Sequence, residues 1–105
     1  MATPDIATAA REVLRWRILV TLDAGRPYPV TEDIILKTLT DMSSRVTLHE
    51  LRRELEYLHG RKLIEITGND PDTDCWDSNL TSIGVDLVEY AVDCRAGIAR
   101  PPKRG

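Results

Sequence analysis

Apolar positions recur at spacings of three and four from Thr8 to Leu22, where Val13, Leu14, Trp16, Ile18, Leu19, Val20 and Leu22 are interleaved with Arg11, Glu12, Arg15 and Arg17. This spacing predicts a first amphipathic helix. Gly25 is its candidate left-handed stop. The following Arg26-Pro27-Tyr28-Pro29-Val30 leaves the helical pattern, because its two prolines lack amide donors and bias their predecessors to extended backbone. A short edge strand is expected there. Thr31 ahead of Glu32 and Asp33 marks the start of a brief second helix, with Ile34, Ile35, Leu36 and Leu39 as its stripe and Met42 at its end. After the turn Asp41-Met42-Ser43-Ser44-Arg45, Thr47-Leu48-His49-Glu50 has the form of a capping box, in which hydroxyl and carboxylate each satisfy a free backbone donor. A third helix therefore starts at Leu48. Leu48, Leu51, Leu55 and Leu58 share one of its faces, and Gly60 can close it.

The period then changes from 3.6 to 2. Leu63-Ile64-Glu65-Ile66-Thr67 and Cys75-Trp76-Asp77-Ser78-Asn79-Leu80 read as two strands, joined by the turn-rich Gly68-Asn69-Asp70-Pro71-Asp72. Thr81 caps a last helix whose apolar side, Ile83, Leu87 and Tyr90 with Val85, Val88 and Val92, is broad enough to pack on the first helix. From Cys94 to Gly105 there are four positive charges and no negative one, which predicts an extended or disordered basic tail. The chain thus divides into a flexible N-terminus (residues 1–7), one domain (residues 8–92) and a tail (residues 93–105).

Composition narrows the classes. The 105 residues are 42% hydrophobic and 30% charged, enough for one core and too few for a two-domain enzyme. Net charge is −3, so the positions of the charges matter more than their sum. Two cysteines, Cys75 and Cys94, in no CxxC pair, argue against a disulfide scaffold or a zinc ribbon and for a reducing cytoplasm. Met1 to Ala10 has no basic residue before an apolar run, and no stretch approaches a membrane span. The expected protein is cytoplasmic.

The order of helix, extended link, helix, tight turn, capped helix and hairpin resembles a winged-helix domain from Thr8 to Tyr90. The run from Leu51 to Ile66 is similar to the third helix of such domains entering the first wing strand. Leu80-Thr81-Ser82-Ile83-Gly84 is similar to the segment that leads from the wing to a final helix. The resemblance implies a mainly α fold with a small β-hairpin (α+β), a winged helix-turn-helix with a three-helix core, a wing and a C-terminal helix. Val92-Asp93-Cys94 followed by Gly97-Ile98-Ala99-Arg100-Pro101 also resembles the C-terminal end of small winged-helix proteins of Mu-like bacteriophages and prophages.

That resemblance implies double-stranded DNA as partner, with the third helix in the major groove of an operator. Opposite the leucines lie His49, Arg53 and Tyr57, with Arg52 at the border. Arg52 and Arg53 have the chemistry for guanine edges or phosphates. Ser44, Arg45 and Thr47 stand at the helix entrance for phosphate contact, and Arg100, Lys103 and Arg104 of the tail form an electrostatic arm. The wing is of the wrong sign: from Glu65 to Asn79 there are five acidic residues, Glu65, Asp70, Asp72, Asp74 and Asp77, and no basic one. Such a tip repels a duplex at low salt. The rival reading is therefore a protein-interaction module that docks a basic partner on the acidic wing and anchors an interface on Tyr57 and Arg53.

Other chemistry is thin. His49 and His59 have no cysteine or acid at ligand spacing and read as surface residues. The alternation of Asp70, Asp72 and Asp74 departs from a calcium loop, with Cys75 at the glycine position and Thr81 at the glutamate position. Trp16 and Trp76 sit in apolar patterns and read as packing residues. There is no phosphate-cradling glycine loop, HExxH or nucleophile elbow, so neither an enzyme nor a cofactor is expected, and no small-molecule substrate is evident. A surplus of apolar residues on the first and last helices points to a homodimer.

Overall fold

A computed structural model describes residues 3–68 and 74–103. Helix α1 runs Ile6–Gly25 and starts two residues before the periodicity predicted. The reason is Asp5, whose carboxylate accepts from the Thr8 amide (3.1 Å) and hydroxyl (2.6 Å) and so caps the first turn. Gly25 is the last helical residue and does not take the left-handed conformation expected of it; a side chain there would collide with Val30.

The two-residue strand β1, Val30–Thr31, leads into α2, Glu32–Asp41. Thr31 holds the N-cap position, but its hydroxyl donates to Asp33, so α2 has no side-chain cap bond. Ser43, with φ of 66°, turns the chain, and the Ser44 amide donates to the Leu39 carbonyl at 2.8 Å. Helix α3, Leu48–Gly60, opens on the predicted capping box: the Glu50 amide donates to Thr47 Oγ1 and the Thr47 amide to Glu50 Oε1, each at 3.1 Å. The left-handed residue after α3 is Lys62 (φ 63°), not Gly60.

Strands β2 (Ile64–Thr67) and β3 (Asp77–Leu80) form the hairpin, in antiparallel register from Ile64 opposite Leu80 to Thr67 opposite Asp77. β1 adds to the other edge of β3 through Val30 and Ser78, giving the order β1-β3-β2. The tip from 69 to 73, with Asp70 and Asp72, lies outside the described residues. Helix α4 is short, Ser82–Val88. Its cap residue Thr81 accepts from the Gly84 amide (3.1 Å) and donates to the Lys62 carbonyl (2.7 Å), tying helix to wing.

One core joins all of these elements. Leu14, Ile18, Leu19 and Leu22 of α1 meet Ile35 and Leu39 of α2, Leu51, Leu55 and Leu58 of α3, Ile64 and Leu80 of the sheet and Leu87 of α4. Trp16 packs on this core and meets Tyr90 edge to face, 6.2 Å between centroids. Leu48 and Ile83, assigned to apolar faces by their spacing, are exposed.

Residues 93–103 correct the expectation of a disordered tail. They have no regular secondary structure, yet long-range bonds fasten them to the helices. The Ala99 amide donates to the Glu12 carbonyl (3.1 Å), Arg15 Nη1 to the Gly97 carbonyl (2.9 Å) and Tyr90 Oη to the Pro101 carbonyl (2.7 Å). Ile98 is 8% exposed and belongs to the core. Arg100 Nη1 donates to the carbonyls of Leu87 (2.9 Å) and Val92 (2.8 Å), fastening the strap to the end of α4 and the turn that follows it. A strap of this kind was invisible in the composition because its partners are carbonyls and helices far away in sequence.

Candidate nucleic-acid interface

The face of α3 opposite its buried Leu51, Glu54, Leu55 and Leu58 carries His49, Arg53 and Glu56, all exposed. Among the described residues neither Arg53 nor Arg45, exposed at the helix entrance, makes an ion pair or side-chain hydrogen bond. These two guanidiniums flank the start of a helix whose first-turn amides are held in order by the capping box. Glu50 belongs to that box, and the Thr47 amide, followed by the Thr47 hydroxyl, holds its carboxyl below the usual carboxylate range.

Five other predicted contacts are otherwise engaged. Arg52 turns sideways: Nε and Nη2 reach the two carboxylate oxygens of Glu32 at 2.9 and 2.6 Å, and Nη2 also donates to the Asp74 carbonyl at 2.8 Å. Its guanidinium lies 4.9 Å from the Trp76 ring centroid. The bond to Glu32, ahead of the charges of Glu32 and Asp74, raises its pKa above the ordinary guanidinium value. Tyr57 is half-buried under Arg15, whose guanidinium sits 3.6 Å from the ring centroid, and a side chain at Gly97 would collide with its hydroxyl. It is therefore no exposed anchor for either reading. Arg100 is spent on α4 and on Tyr90, 4.3 Å from that ring. Thr47 uses its hydroxyl in the cap, and Ser44 accepts from Arg17 of α1.

Lys103 is exposed, and Arg104 lies outside the described residues. Arg17 and Arg11, which the pattern of α1 placed only as polar interruptions, line a groove of about 630 Å³ together with Arg45 and Arg53. They were missed because a single helix wheel does not show which neighbouring turn comes alongside. Two acidic groups were missed for the same reason. Glu32 and Glu54 are both 5% exposed and paired across the fold, Glu54 with Arg15 at 2.8 Å.

Among the described residues no cluster of three or more His, Cys, Asp or Glu side chains is arranged to hold a metal, and no helix is long and apolar enough to cross a membrane. Cys75 and Cys94 are free thiols.

No family model matches the sequence, and no curated protein matches it. Two solved structures are similar in fold. RosR of H. salinarum is 22% identical, covering 74% of this chain and 67% of its own, with a TM-score of 0.63. BpsR of Bordetella bronchiseptica, a protein whose DNA binding is regulated by 6-hydroxynicotinic acid, is 21% identical, covering 83% of this chain and 57% of its own, with a TM-score of 0.59. The chain thus spans between half and about two thirds of the length of these structures. With α2 and α3 joined by a tight turn, a three-stranded antiparallel sheet as wing and α4 behind it, the chain has a winged-helix fold, mainly α with a small sheet.

Proposed function

We propose that this chain is a double-stranded DNA-binding transcription regulator of a phage or bacterium, with α3 in the major groove. The observation that supports it most directly is the outward face of α3, where His49 and Arg53 are exposed and Arg53 has no internal partner among the described residues. Arg53 suits bidentate contact with a guanine edge, and Arg45, Lys103 and Arg104 suit phosphates. Ser44 and Thr47 shape the helix entrance, and Arg52 positions the segment of the wing that leads into β3. The likeness of Val92 to Pro101 to Mu-like phage proteins supports the phage setting. The reading is tested by selecting duplexes from a random pool with the wild-type protein and with Arg53→Ala. Loss of base preference in the variant is expected; an unchanged selected sequence removes Arg53 from the reading face.

The regulator is proposed to act as a homodimer, since Ile83 on α4 and Val92 just after it remain 51% and 45% exposed. Light scattering at tens of micromolar tests this, and a monomer there removes the dimer. A second reading, protein docking without DNA, draws on the wing, where Glu65 and Asp74 are exposed carboxylates. It predicts no duplex binding at any salt concentration and weaker partner capture when Asp70, Asp72 and Asp74 are changed together to Asn.

A further inference from the structure

The surface between the first half of α1 and the start of α3 is hollow. Ala7, Ala9 and Ala10 stand where an exposed helix ordinarily carries long polar side chains, and the space they leave is the groove of about 630 Å³. Along α1, Ile6, Ala10, Val13 and Arg17 follow one another at i, i+4, i+7 and i+11. The floor is thus an apolar stripe about 10 Å long, with a guanidinium one further turn along the helix. Val46 adds apolar surface from the α2–α3 turn. Ile6 is 74% exposed and Val13 36%, so this surface is left to water.

The polar lining sets the sign of an occupant. Arg17, Arg45 and Arg53 line the groove where α1 meets the α2–α3 turn and α3. Arg17 is tied to the Ser44 hydroxyl, while Arg45 and Arg53 have no carboxylate partner among the described residues. The two acids that line the groove are engaged elsewhere, Glu50 in the cap of α3 and Glu54 with Arg15. A positive end on an apolar stripe, four arginines against the carboxylates of Glu50 and Glu54, fits a molecule with a carboxylate head and an aliphatic tail. The guanidinium fork matches the head, and the tail covers apolar side chains now in water. The volume lies within the range of small-molecule sites. A phosphate backbone gains nothing from the stripe, and a second copy of the groove would bring four more arginines against its own four.

We propose that this groove binds a free straight-chain carboxylate, with its tail along Ile6, Ala10 and Val13 and its head on Arg45 and Arg53. The head of the site shares Arg45 and Arg53 with the proposed nucleic-acid face, and its binding is measured without DNA, so that the two readings fail separately. The probes are decanoate and decyltrimethylammonium, titrated calorimetrically below their micellar range into the full chain at about 0.15 M salt. Saturable 1:1 binding of decanoate is expected, with none for the cation. Arg45→Ala combined with Arg53→Ala lowers decanoate affinity at least about tenfold. Ala10→Phe, which fills the groove from an exposed helical position, abolishes binding while leaving thermal melting of the free protein unchanged. Absence of saturable decanoate binding, equal binding of both probes, or undiminished binding by Ala10→Phe overturns the proposal.

Discussion

Arg52 of α3 grips Glu32 of α2 through two hydrogen bonds, Nε to Oε2 at 2.9 Å and Nη2 to Oε1 at 2.6 Å. The same guanidinium bonds the Asp74 carbonyl and packs against Trp76, so one side chain ties both helices of the helix-turn-helix to the segment that enters β3 from the wing tip. Next to it Arg53 is exposed and makes no such bond. Adjacent arginines on one helix therefore have different tasks.

They are separable by mutation. Arg52→Ala lowers the melting temperature and weakens duplex binding without changing which sequence is preferred, and Arg52→Lys rescues it only in part because the two-pronged contact is lost. Arg53→Ala leaves the melting temperature within about 4 °C of wild type. It removes about 1–3 kcal/mol of base discrimination. Melting curves and binding to a selected duplex and its single-base variants check both.

The pair Arg15–Glu54 makes a second claim about buried charge. Arg15→Ala leaves a 5%-exposed carboxylate without its partner and costs about 3 kcal/mol in chemical denaturation. Replacing both residues by Met restores stability to within about 1 kcal/mol of wild type, because the isolated carboxylate, not the missing attraction, carries most of the penalty. A double variant as unstable as the single one contradicts this.

Gly84 makes the packing of α4 testable. Helix propensity alone favours Gly84→Ala by about 1 kcal/mol. In the fold, however, a Cβ at this position meets the Leu63 carbonyl oxygen, backbone that cannot swing aside. The expected outcome is a loss of about 1–3 kcal/mol, opposite in sign to the propensity gain.

The capping box gives α3 a pH dependence. Glu50 has its carboxyl pKa lowered from an ordinary 4.5 by the Thr47 amide and hydroxyl. Its contribution is therefore fully present above the unfolded-state pKa and is lost as pH falls through the lower folded-state value. Asp5, lowered by its bonds to Thr8, follows the same rule at the start of α1. Protection factors of the first-turn amides of α3, taken relative to the intrinsic exchange rate at each pH, are expected to fall below about pH 4.5 in the wild type and to show no such step in Glu50→Gln.

Much of this was legible in the sequence because it is local. The Thr47–Glu50 box and the hairpin register their presence within a few residues, and the structure has both there, while the edge strand expected over 26–30 forms only at its end, Val30–Thr31. What the sequence hid is long-range. Tyr57 and Arg52 look solvent-facing on an isolated helix wheel, yet α1 supplies Arg15 over one and α2 supplies Glu32 to the other. Glu54 reads as a surface acid until its partner 39 residues away is known. The tail reads as disordered because Ile98 is its one large aliphatic side chain, and a single anchor leaves no periodicity.

The central claim is that the outer face of α3 meets DNA despite an acidic wing. Fluorescence anisotropy of the purified chain with a randomised short duplex at about 50 and 200 mM salt, the range in which phosphate contacts show, tests it most directly. The account predicts micromolar or tighter binding at the lower salt that collapses at the higher. No binding even at the lower salt contradicts it and assigns the surface to a protein partner.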